Sequence, residues 1–262
     1  MQDVSERAVL RSIETMRERM GEQLTVDDLA RAAMFSKFHF TRMFQRVTGV
    51  SPARFLSALR LQRAKDLLVS TTMNVADISV YVGYNSVGTF SSRFSRSVGM
   101  SPTTYRRRAG FASVIHSGIE RRTGRPSGAR MSLQVTVPDS DDDTNIFIGL
   151  FAERIPEGRP VRCAVLDRPG RVTFDAVPIG TWYVLAQAVP AGPAAVTRAD
   201  VPVSVATHGP VTVHADTVVA ADIELRRSRL LDPPVLLALL DARQHALSRI
   251  HRSPEPYIAG VA

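Results

Sequence analysis

A single cysteine, Cys163, stands among 262 residues, so no disulfide can form within the chain. It sits in an alternating apolar run, where a small core hydrophobe is expected rather than a nucleophile or a metal ligand. No stretch approaches the ~18 uninterrupted apolar residues that a membrane span requires. The opening Met1-Gln2-Asp3-Val4-Ser5-Glu6-Arg7 lacks a basic-then-apolar signal pattern, which predicts a cytoplasmic protein. Also missing are a Gly-x-Ser-x-Gly elbow, a phosphate loop and a dinucleotide fingerprint. Neither catalysis nor a cofactor is expected.

Apolar residues make up 44% of the chain, enough to bury proper cores. The net charge of +8 is unevenly spread. Residues 1–110 hold 17 Lys+Arg against 9 Asp+Glu, while residues 131–232 hold 9 against 13. A polyanion is therefore met by the front of the chain. Charge alone fits DNA, RNA or a membrane surface equally well.

An internal repeat narrows the choice. Thr25-Val26-Asp27-Asp28-Leu29-Ala30 aligns with Asn74-Val75-Ala76-Asp77-Ile78-Ser79. One residue of offset later, Phe40-x3-Phe44-x4-Gly49-x-Ser51-Pro52-x2-Phe55 returns as Phe90-x3-Phe94-x4-Gly99-x-Ser101-Pro102-x2-Tyr105. Thr25 and Asn74 are N-caps with an acid three residues on. The short helices they open should bury Val26, Leu29 and Ala33, or Val75, Ile78 and Val82. A second helix opens near Ser36 or Ser86 and turns Phe40, Phe44 and Val47, or Phe90, Phe94 and Val98, inward. Gly49 and Gly99 end these helices, and Ser-Pro pairs start the next ones. Between the units, residues 52–69 predict a long helix with Leu56, Leu59, Ala64, Leu67 and Leu68 inward.

This is a helix-turn-helix pattern in duplicate. The outward face of the first second-helix carries Lys37, Phe38, Thr41, Arg42 and Arg46. That of the second carries Ser86, Gly88, Thr89, Ser92, Arg93 and Arg96. Arg42 suits a bidentate guanine contact, and Thr41 and Phe38 suit thymine methyls. Lys37, Arg46, Arg96, Ser86 and Ser92 suit phosphates. Two successive major-groove faces lie ~34 Å apart, so one chain could read two half-sites of double-stranded DNA. The plainer alternative, that these arginines are only solvated helix faces, weakens when two matching faces stand in tandem.

The motif Ser36-Lys37-Phe38-His39-Phe40-Thr41-Arg42-Met43-Phe44 with Gly49-x-Ser51-Pro52, continued by Arg60-x2-Arg63-Ala64-x2-Leu67-Leu68, Ile78-x4-Gly83-Tyr84 and Gly99-x-Ser101-Pro102-x2-Tyr105-Arg106, resembles the DNA-binding domain of AraC-type bacterial transcription regulators. The likeness covers roughly residues 5–108. It implies recognition contacts at Phe38, Thr41 and Arg42, then at Gly88, Thr89 and Ser92. It also implies a nucleoid-associated bacterial regulator, more often an activator, with RNA polymerase as a partner. The domain order is that of a minority of the family, and Val87-Gly88 replaces the usual polar side chains. The first helix is therefore expected to supply most specificity and the second mainly backbone contacts.

Residues 109–130 read as a Gly/Arg/Ser-rich linker. Strands are predicted at 132–137, 145–152, 161–166, 171–174, 182–189, 203–206, 211–214 and 217–225. They suggest a small antiparallel β-sandwich over 131–232, and Val177-Pro178-Ile179-Gly180-Thr181-Trp182-Tyr183-Val184-Leu185 resembles the signature of prealbumin-like accessory domains. Trp182 and Tyr183 fall on opposite faces, one in the core and one free to line a ligand or partner surface. The acidic run 139–143 lacks calcium-loop spacing, and His208 and His214 lack companions for a metal site. An amphipathic helix is expected over 233–252, packed on the sandwich or forming a dimer seam, with a frayed tail beyond. The expected architecture is thus multidomain, α then β. The back half would sense a small-molecule effector, contact a partner or second copy through 131–252, or support the fold. Two alternatives to a regulator stay open: an architectural DNA-binding protein of low specificity, and an interaction module acting through the β domain.

Overall fold

A computed structural model describes residues 2–108, 110, 127–138, 144–190 and 203–237. Seven helices come first: α1 (Gln2–Glu18), α2 (Val26–Ala33), α3 (Lys37–Thr48), α4 (Pro52–Ser70), α5 (Val75–Tyr81), α6 (Val87–Val98) and α7 (Pro102–Arg107). Each boundary has a local cause. Thr25 and Asp28 form a reciprocal capping box at α2, and Asn74 accepts from the Asp77 amide at α5. Gly49 and Gly99 close α3 and α6 in the left-handed conformation, and Pro52 and Pro102 occupy first turns.

The repeat in the sequence becomes a repeat in packing. Phe44 packs against Phe40 and Phe55 at ring separations of 5.5 and 5.4 Å, while Phe94 packs against Phe90 and Tyr105, each at 5.6 Å. All six rings are buried. Val26, Val47 and Val75 are only half-buried, at the margin of this core. Two arginines fasten the crossings. Arg60 donates to the carbonyls of Met20 and Glu22, and Arg106 to those of Leu68 and Met73. Gly83, at φ +85°, passes so close to Met20 that an added Cβ would stand 2.4 Å from its carbonyl oxygen.

Strands follow: β1 (Arg130–Thr136), β2 (Thr144–Phe151), β3 (Arg162–Leu166), β4 (Gly170–Phe174), β5 (Gly180–Pro190), β6 (Ser204–Val213), β7 (Val218–Glu224) and β8 (Arg226–Arg227). They form one sheet of order β4-β1-β7 and another of order β3-β2-β5-β6-β8. One apolar cluster draws Met131, Leu133 and Ile223 from the first sheet and Ile146, Ile148 and Val184 from the second. The alternation along β1, β2 and β5 supplies those inward side chains.

Four expectations change here. The first sheet is not wholly antiparallel, because β1 and β7 run parallel. The strands expected at 203–206 and 211–214 are one strand, β6, carried through Gly209-Pro210. The linker ends earlier than 130: Ala129 is buried in the β core, Ser127 donates to the Val177 carbonyl, and Arg130 opens β1. The helix expected from Pro233 does not begin there, since residues 233–236 adopt no regular structure. Leu236 enters the core of the helical unit, and Leu237 covers the outer face of the five-stranded sheet beside Phe147, Phe151 and Leu185. The rest of that expected helix, the tail, the acidic run 139–143 and most of the linker lie outside the described residues.

Candidate nucleic-acid interface

Burying Phe40 and Phe44 on one side of α3 leaves its other side to solvent. Lys37, Phe38, Arg42 and Arg46 are exposed, Phe38 by 72%, and Thr41 is half-exposed. A phenylalanine left this open makes no contribution to the core, and Arg42 lies over its ring at 5.5 Å. Lys37 donates to Asp27 at 2.8 Å, an exposed pair that a phosphate could displace. Thr41 donates to the Lys37 carbonyl and presents its methyl group.

The equivalent face of α6 is less cationic. Ser86, Gly88, Thr89, Ser92 and Arg96 are exposed. Ser86 Oγ is engaged as the N-cap, accepting from the Thr89 amide, whereas Ser36 makes no such bond at α3. Val87 is exposed as well, so the first turn of α6 offers little hydrogen-bonding chemistry.

Arg93 departs from the expected outward posture. Its guanidinium lies 3.6 Å from Glu157, in the loop joining β2 to β3. The same carboxylate takes Arg54 of α4 at 3.0 Å and the Ser97 hydroxyl at 2.8 Å. Glu153 adds a second carboxylate to Arg54 at 2.8 Å. Ile155 between them is buried in the helical core, and the Gly158 amide donates to the Ser97 carbonyl. The loop is thus a plug: one apolar side chain inserted, flanked by carboxylates that claim cations on α4 and α6.

Two more contacts join the units. The Arg154 guanidinium rests on Gly49, leaving no room for a Cβ at the end of α3. Lys65, buried within α4, donates to the carbonyls of Val235 and Leu237 at 3.1 and 3.5 Å. Its burial pulls the ammonium down from the usual lysine value to about 8, with neighbouring Asp66 opposing the shift. None of these groups had a local signal. Ile155-Pro156 in an otherwise polar loop was the one visible hint.

Outside this region, chemistry is sparse. Burial pushes the Cys163 thiol up to about 11, which makes it a poor nucleophile at neutral pH. Among the described residues no three His, Cys, Asp or Glu gather as a metal site, and no helix is long and apolar enough to cross a membrane.

Residues 29–108 match the family described as "Helix-turn-helix domain". The helical unit carries a helix-turn-helix domain similar to those of AraC-type transcription regulators. The HTH-type transcriptional regulator YbfP of Bacillus subtilis (strain 168) is 34% identical over 101 residues, covering 38% of this chain and 34% of its own. The MmsAB operon regulatory protein of Pseudomonas aeruginosa is 37% identical over 93 residues, covering 36% and 30%. The RCS-specific transcriptional activator RclR of Escherichia coli (strain K12) is 38% identical over 96 residues, covering 37% and 34%. The chain therefore spans about a third of the length of these curated relatives. Among solved structures, an AraC-type regulator from Chromobacterium violaceum aligns at 27% identity and a TM-score of 0.39, covering 40% of this chain and 94% of that one.

Proposed function

We propose that this chain is a sequence-specific, DNA-binding transcription regulator that reads two adjacent major-groove half-sites with α3 and α6. The carrying observation is the duplicated pair of helices, each with its aromatic side buried and its polar side open. The relatives named above are transcription regulators, which supports the reading. By chemistry, Arg42 takes a guanine edge, Phe38 and Thr41 meet thymine methyls, and Lys37, Arg46 and Arg96 hold phosphates. Ser86, Gly88, Thr89, Ser92 and Arg93 give α6 a mainly backbone-binding role. Activation through RNA polymerase in a bacterial cytoplasm, associated with the nucleoid, follows from the resemblance. The β unit is read as a prealbumin-like sandwich, because one core is shared by its two sheets.

Fluorescence anisotropy on a selected duplex and a random one, at two salt concentrations, tests this proposal. A regulator should prefer its selected site by ~10³-fold or more. A ratio near one would favour the architectural alternative, a reading to which the bare first turn of α6 already lends some support.

A further inference from the structure

Helix α4 runs between the two helix pairs, so whatever braces it helps to set the distance and angle between α3 and α6. The β unit braces it at two points. In the first turn Arg54 takes Glu153 at 2.8 Å and Glu157 at 3.0 Å. About three turns on, Lys65 donates to the carbonyls of Val235 and Leu237, in the strap of residues 231–237 that follows β8. The β2–β3 loop and the strap are joined to each other, because the Pro156 carbonyl accepts from the Leu236 and Leu237 amides. Each also inserts aliphatic side chains into the helical core: Ile155 from the loop, Leu231 and Leu236 from the strap. The same loop touches both recognition helices. Arg154 rests on Gly49 at the end of α3, and the Gly158 amide donates to the Ser97 carbonyl of α6.

We propose that the loop and the strap act as a splint, through which the β unit makes the chain selective for the spacing between its two half-sites. They hold the two recognition helices at one separation and one relative angle. The proposal rests on the DNA-binding reading. Ion pairs alone would make a poor splint, since exposed pairs are weak and are screened by salt. Ile155, Leu231 and Leu236 supply what the charges lack, because apolar burial is not screened. Arg93, at 3.6 Å the longest of the loop's ion pairs, can pass to a phosphate while these three pins stay in place. One base pair more or less between half-sites moves the second by about 3.4 Å and turns it by about 35° around the duplex. A loosely jointed pair of helices can follow that change. A splinted pair cannot.

Anisotropy on the full chain reads that selectivity, using the selected duplex and versions with its halves one base pair closer or further apart. Wild type should lose roughly tenfold or more in affinity at either altered spacing, the size of one mismatched base pair. Ile155→Ala withdraws the loop's pin and should cut that penalty to about threefold or less, with half-site preference over random sequence retained. Should that variant fail to fold, Arg54→Gln, at a partly exposed position, should still cut the penalty by about twofold or more. Unfolding gives a second readout. The single tryptophan, Trp182, lies on β5, so its fluorescence follows the β unit while far-ultraviolet ellipticity is dominated by the helices. In urea the two signals should move together in wild type, as one cooperative body. A wild type indifferent to spacing, an undiminished penalty in the folded variants, or wild-type transitions that separate would each overturn the splint. A wild type with no selected site fails the proposed function instead, and coincident transitions would then still join the two units in one body.

Discussion

Glu157 pairs with Arg93 and shares Arg54 with Glu153, and replacing it by glutamine isolates its hold on these cations. The substitution keeps the side chain's size and its ability to accept from Ser97, but removes the charge facing Arg54 at 3.0 Å and Arg93 at 3.6 Å. A hydrogen bond to a charged group contributes about 1.5–3 kcal/mol. Arg54 and Arg93 keep about a third of their side-chain surface in water, so solvent screening cuts this to on the order of 1–2 kcal/mol of docking energy. The effect on DNA has the opposite sign. With the carboxylate gone, Arg93 on α6 is available to a phosphate. Each added phosphate contact steepens the dependence of log K on log salt by about 0.9. Anisotropy titrations on random duplex should therefore show a slope steeper by about one for Glu157→Gln, or nearly two if Arg54 also reaches the backbone. Affinity at low salt should rise several-fold. An unchanged slope in a folded variant would show that Arg93 is already available. A weaker affinity would show that Glu157 holds Arg93 in its working position rather than away from it.

Other substitutions probe other links. Arg42→Ala should relax sequence preference by about 1–3 kcal/mol at one base pair, more than Thr89→Ala and Arg93→Ala do; selection from random duplexes checks this. Lys65→Met removes a buried charge of similar volume. Because the folded lysine sits near pH 8 and the unfolded one near 10.5, the native protein binds fewer protons between those values. Wild-type stability relative to Lys65→Met should therefore rise by about 3 kcal/mol from below pH 8 to above 10.5 and stay flat below 8, as urea titrations across pH would reveal. Gly83→Ala should lose roughly 2–4 kcal/mol by chemical denaturation, because φ +85° and a carbonyl 2.4 Å away oppose any Cβ. Thr25→Ala should lose about 1 kcal/mol with the capping box, by the same measurement.

What could be read from the chain and what could not divide along sequence separation. Caps, glycine stops and aromatic spacing are local, so the two helix pairs and the exposed faces of α3 and α6 follow from short windows around Thr25, Asn74, Phe40 and Phe90. The central helix was harder. Leu56, Leu59, Ala64, Leu67 and Leu68 are buried on α4 as expected, yet Phe55, Ala58, Leu61 and Lys65 are buried as well, because α4 is packed from several sides. Its apolar residues consequently lie around the axis, and periodicity alone assigns only part of them.

The union of the two halves lies beyond any window. Glu157 reaches Arg54 across 103 residues, and Lys65 reaches Val235 across 170. In the sequence Arg93 looks like one more outward cation on a recognition helix, and nothing within ten residues of it supplies a carboxylate partner. Charge counting assigned any polyanion to the basic front and said nothing of a contact between the two halves. The structure instead uses that complementarity internally: the net negative half places Glu153 and Glu157 against the positive half, with Ile155 fixing the register between them. If α6 meets DNA as proposed, a carboxylate in this position competes with phosphate for the same arginine. On that reading the contact that joins the halves is also one that DNA would break, and its strength would set how much of the face of α6 is free at a given salt concentration.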